Sequence, residues 1–126
     1  MFGMSAEKSL SVIKIFGGDL LNGYALLILS ILLEVFSTQM MKISAGFTKI
    51  FPTILFVIGM GGCFYVFAKT LTMLPLGVAY AIWAGVGTAL TAILSVILWK
   101  EIFSLQMIVG IIFIIIGVIL LNLRNG

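Results

Sequence analysis

Histidine is absent from the 126 residues and cysteine occurs once, as Cys63. That excludes a disulfide framework and leaves no ligand set for a cysteine–histidine metal site. Charge is also scarce: Asp, Glu, Lys and Arg make up 9% of the chain, against 63% hydrophobic residues. The seven Lys and Arg are scattered singly, so nucleic-acid binding has no basic cluster to rest on. No glycine-rich phosphate loop appears, and ATP-driven work would need a partner. A soluble domain of this length has too much surface for its volume to hide so much apolar material. An integral membrane protein of one domain is what remains.

The apolar residues fall into four segments at about 24–41, 51–71, 76–99 and 104–123, each predicted as a transmembrane helix. At about 1.5 Å per residue, each reaches or nearly reaches the roughly 30 Å hydrocarbon thickness. Pro52 lies in the first turn of the second segment, where a missing N–H does no harm, and Pro75 precedes the third. Short connections make neighbouring helices antiparallel, with both termini on one side. Residues 1–23 read as an N-terminal extension. It is either a short interfacial helix, with Leu10, Ile13 and Phe16 on one side and an end at Gly17-Gly18, or an unordered terminus. Lys8, Lys14, Lys69 and Arg124 fall on the terminal side, and Lys42, Lys49 and Lys100 on the other. The positive-inside rule therefore gives no orientation, and a chain without that bias can insert both ways.

Within these spans there is one carboxylate, Glu34. A charge at the bilayer centre costs about 2.5–3.5 kcal/mol on insertion scales, so such a residue is read first as a functional site. Helical spacing puts Leu27, Ser30, Ser37, Thr38 and Met41 on or near its face. A small-polar stripe beside a buried acid suits a hydrated cavity, although small residues also serve to pack membrane helices together. An apolar setting favours the neutral acid and a nearby cation favours the carboxylate, so a proton and a cation compete for one group. If only an occupied site lets the protein change its opening, a proton gradient drives cations the other way.

The third segment places Tyr80, Trp83 and Gly87 on one face. Aromatic rings attract cations, the more so when desolvated; Tyr and Trp also anchor spans at the interface. Gly85 and Gly87 mark a bend or a close approach. In the fourth segment Gly110 and Gly117 share a face and form an association surface, with no titratable group nearby. Lys69, Lys100 and Glu101 receive no primary role. Four helices lack an internal inverted repeat, which transporters commonly use for alternating access. Pairing with an upside-down copy supplies that symmetry and couples the titrations of the two Glu34 side chains.

The string from Glu34-Val35 through Thr38, Met41-Lys42, Ser44 and Gly46-Phe47-Thr48 to Pro52 resembles the first helix and loop of the small multidrug resistance family. Residues 74–87, LPLGVAYAIWAGVG, resemble its third-helix signature, and Gly110 and Gly117 its fourth-helix dimer stripe. The resemblance covers roughly Tyr24 to Leu123. It implies an all-α membrane protein with four transmembrane helices per subunit, assembled as an antiparallel, dual-topology dimer in the bacterial inner membrane. The implied activity is proton-coupled export of lipophilic or quaternary ammonium cations, with protons as the coupling ion and no cofactor.

On matching positions the resemblance makes Glu34 the shared proton and substrate site. Tyr24, Tyr80 and Trp83 become its aromatic lining, Ser30, Ser37 and Thr38 its helix-one neighbours, and Gly85–Gly87 the helix-three bend. Met60 and Phe64 join the lining from the second helix. Guanidinium exporters of the family usually carry tryptophan three residues after the glutamate; Ser37 here points to the multidrug type, although some multidrug members have tyrosine where this chain has Met60. A guanidinium exporter, one subunit of a heterodimer and a non-transporting helper of another carrier stay as alternatives.

Overall fold

The computed structural model describes residues 6–125 of the chain, with side chains from Leu21 to Leu123. Four helices account for it: α1 (Ala6–Ile43), α2 (Ile50–Thr70), α3 (Leu76–Trp99) and α4 (Leu105–Asn125). Each holds a span long and apolar enough to cross a membrane, at Leu21–Ile43, Ile50–Thr70, Leu76–Trp99 and Leu105–Leu123. Helices satisfy every backbone polar group internally, which is what lipid demands. This is an all-α, multi-pass membrane protein.

The helix boundaries lie within two residues of the expected ones, except at the start of α1. In place of an end at Gly17-Gly18, the helix runs through both glycines from Ala6. Interior glycines cost about 1 kcal/mol each relative to alanine, too little to stop a helix that contains no proline. The grouping of Leu10, Ile13 and Phe16 concerns side chains outside the described ones.

Helices α1 and α3 run one way and α2 and α4 return. The α1–α2 and α3–α4 loops therefore share one end of the bundle (the loop end), and the α2–α3 loop lies at the other (the terminal end). Hydrogen bonds fix both ends. Trp99 Nε1 donates to Gln39 Oε1 at 2.7 Å at the loop end, and Tyr24 Oη donates to Asn122 Oδ1 at 3.0 Å at the terminal end. Helix α1 packs along α2 and against α3, and α3 pairs with α4. The buried share of each span falls from 28% in α1 to none in α4, so α1 is the central helix and α4 a peripheral one. The outward apolar faces need no cover from water in a bilayer.

Two glycines set the helix spacings. A Cβ on Gly59 would collide with Ser37 Oγ, so α2 meets α1 there without a side chain between them. A Cβ on Gly85 would lie 2.9 Å from Val118 Cγ2 and 3.0 Å from Ile114 Cγ2, so α3 meets the side chains of α4 closely there. On the terminal side of Glu34 the bundle is filled by Leu27 and Ile31 of α1, Phe67 of α2, and Leu74 and Ala79 where α3 begins.

Candidate functional site: a carboxylate at the foot of a one-sided cavity

Glu34 is half-buried on the α3-facing side of α1. The Thr38 hydroxyl lies 2.8 Å from the Glu34 backbone carbonyl and 3.3 Å from Oε1, and shares its one proton between them. Oε2 is buried and has no hydrogen-bond partner. It reaches the backbone of α3 at Gly87, where a Cβ would stand 2.9 Å away. Only glycine leaves that room. A buried carboxylate oxygen without a donor is costly, so the site favours whatever brings it a proton or a positive charge.

From this carboxylate a cavity of about 540 Å³ opens along α3. Glu34, Thr38, Trp83 and Gly87 form its inner part, and Thr91, Ser95 and Glu101 continue the wall toward the loop end. Its size is that of a small-molecule site. Gly87 to Ser95 spans about 12 Å at the helical rise, close to half a membrane. The cavity thus joins mid-depth to one end of the bundle, while the apolar cluster closes the other.

Aromatic rings gather at the inner end. Trp83 lies 5.2 Å from Phe67, 5.7 Å from Tyr80 and 6.3 Å from Phe64, centroid to centroid. Spacings of this kind are the favoured ones for tilted ring pairs. The Trp83 indole N–H is buried and makes no hydrogen bond of good geometry; its neighbour is the Cys63 thiol, a weak acceptor. Tyr80 and Phe64 are exposed on this chain.

The expected site residues separate into groups. Glu34, Thr38, Trp83 and Gly87 meet in the cavity, with Tyr80 and Phe64 ringed around Trp83. Ser30 and Ser37 do not line it: both are fully buried, and they donate to the carbonyls of Leu27 and Leu33. Ser37 is seated against Gly59 in the α1–α2 contact. Tyr24 stands at the terminal end on Asn122, and Met60 is half-buried on α2 without lining the cavity. Gly85 faces α4, while Gly110 and Gly117 have open space where a Cβ would project.

Sequence reasoning passed over Phe67, Thr88, Thr91 and Ser95, and gave Glu101 no primary role. The hydroxyl residues follow Ala84 and Gly87 on the same α3 face, so the periodicity test that found the stripe on α1 finds this one too.

The family model described as Small Multidrug Resistance protein matches residues 22–114. Quaternary ammonium compound-resistance protein QacH of Staphylococcus saprophyticus is 48% identical over 99 residues, which cover 79% of this chain and 92% of that one. Multidrug resistance protein EbrA of Bacillus licheniformis is 43% identical over 104 residues, 82% of this chain and 99% of its own. EbrB of the same species is 42% identical over 105 residues, 83% and 88% of the two chains. The matched stretch takes in Glu34, the aromatic group and the whole cavity wall, and the chain belongs to the small multidrug resistance family.

Proposed function

We propose that this chain is a proton-coupled antiporter that exports lipophilic and quaternary ammonium cations across the bacterial inner membrane by alternating access. The observation that carries the reading is Glu34 Oε2, buried without a donor at the inner end of a cavity that opens to one end of the bundle. The relatives' printed names support the cation class, since one is a quaternary ammonium compound-resistance protein and others are multidrug resistance proteins.

In this reading a proton on Glu34 neutralises the acid when no cation is present. An arriving cation stabilises the carboxylate and displaces the proton toward solvent. Trp83, Tyr80 and Phe64 offer ring faces to a cation whose charge is spread over an apolar body. One chain opens its cavity only toward the loop end, so a second chain inserted the other way up gives the pair access to both faces. An antiparallel dimer is therefore the working unit, with α4 and its Gly110 and Gly117 as the contact. The occurrence of both EbrA and EbrB among the relatives supports a paired second subunit as an alternative to an identical copy.

Proteoliposomes with an imposed pH gradient test the reading. Tetraphenylphosphonium should exchange against protons, and guanidinium should do so poorly. Guanidinium as the preferred cargo would move the chain to the other branch of the family.

A further inference from the structure

Among the described side chains from Leu21 to Leu123, every serine and threonine but two has a hydrogen bond to the backbone. Thr38, Thr53 and Thr70 donate to the carbonyl one turn back, and Ser95 donates to Ala92. Ser30, Ser37, Ser44, Thr48 and Thr72 donate likewise, and Ser104 accepts from the Met107 N–H. Hydroxyls in membrane helices hide their polarity in this way. The exceptions are Thr88 and Thr91, neighbours on one face of α3, and both line the cavity above Glu34.

At this depth an unpartnered hydroxyl in hydrocarbon costs several kcal/mol. Nothing forces the cost, because the carbonyl of the preceding turn is available to a threonine that rotates to reach it. Two neighbouring threonines that line one cavity and make no such bond mark a wall that is wet. Above them come Ser95 and then Glu101, the cavity's second carboxylate, exposed in the α3–α4 loop. No lysine lines the cavity: Lys100, which precedes Glu101 in the loop, is exposed, and Lys42 of α1 has its Nζ 5.0 Å from the Trp99 ring centre.

We propose that Thr88 and Thr91 are the inner steps of a water-filled path along α3, and that Glu101 at its outer end is the carboxylate a cation meets first on its way to Glu34. The path stands on geometry alone; its role in feeding Glu34 rests on the reading of Glu34 as the exchange site. The hydroxyls hold the file of water along which a proton leaves and keep the path hydrated as a cation enters. Glu101 acts on arrival rate more than on final affinity, as rim charges do.

Cysteine labelling in bilayers tests the path without any transport. In a Cys63→Ala background, Thr88→Cys and Thr91→Cys should react with a hydrophilic, positively charged methanethiosulfonate at least about tenfold faster than Ile93→Cys on the outward face, and tetraphenylphosphonium should protect them. If the hydroxyls instead bond to a helix of another subunit, Thr91→Cys will react no faster than Ile93→Cys, and the path is overturned. Glu101→Gln should slow tetraphenylphosphonium association about fivefold at low ionic strength, the scale of one charge contact in water, and the difference should vanish in high salt. Wild-type association at low salt would remove Glu101 from the path. Should the parent chain bind tetraphenylphosphonium without releasing protons, the reading of Glu34 fails, while the labelling still decides whether the path exists.

Discussion

Glu34 can sit against the backbone of α3 only because residue 87 has no side chain. Adding one methyl at Gly87 sets a carbon 2.9 Å from Oε2, and the carboxylate, being the end of a flexible side chain, gives way before the helix does. Gly87→Ala should therefore keep thermal stability in detergent within about 1 kcal/mol of the parent, since alanine also gains helix propensity. Its cation affinity should fall about tenfold, equivalent to roughly 1.4 kcal/mol. A stability loss with unchanged affinity would place the constraint in packing instead. Trp83 carries a second residue-scale expectation. Its ring is worth about 0.5–1.5 kcal/mol to an aromatic partner beyond area burial. Trp83→Ala should thus weaken tetraphenylphosphonium more than tetraethylammonium in direct binding, and an equal loss for both would mean that the ring only packs.

At the scale of helices, α1 does two jobs on adjacent faces. One face carries Glu34 and Thr38 into the cavity, and the next carries Ser37 onto Gly59 of α2. Gly59→Ala should destabilise the bundle by about 1–3 kcal/mol through overpacking. Adding Ser37→Ala removes the colliding oxygen and should restore most of the loss. Thermal unfolding of the two single variants and the double measures the coupling; additive losses would deny the contact. These two faces also mark how far the sequence could be read. Glu34 stood out because a carboxylate in an apolar run is too costly to be there without a use. Ser37 shares the general side of Glu34 by spacing, but only the position of Gly59 decides which neighbour it faces. Its smallness belongs to the α1–α2 contact, and Ala84, Gly87 and Ala92 leave the room in the cavity instead. Thr88 and Thr91 share a face with Gly87 by spacing, but only the structure shows that they line the cavity and lack the backbone bond that other hydroxyls make. The third helix was legible to the residue, being bounded by Pro75 and Lys100. The start of α1 was not, since two glycines look like a stop and are not one.

For the whole molecule, a cavity open at one end and an apolar cluster closing the other are what the proposed alternating-access cycle requires of one of its two states. The near-even spread of Lys and Arg between the two ends gives the positive-inside rule no preference, and α4, with no buried residue in its span, is free to meet another subunit. If chains insert both ways, Lys100→Cys in a Cys63→Ala background should be labelled by an impermeant maleimide from both faces of the membrane, in comparable amounts. Labelling from one face only would argue for a partner of fixed opposite orientation.

In the proposed cycle, coupling rests on Glu34 holding either a proton or a cation. Cation affinity should accordingly rise with pH while the acid is protonated, by up to tenfold per unit for one displaced proton, and then level off. The most direct measurement is proton release from purified, weakly buffered protein when tetraphenylphosphonium is added across a range of pH. Release should fade once the acid is already ionised and be absent in Glu34→Gln. Tight binding with no proton released at any pH, or equal release from Glu34→Gln, would contradict a shared site.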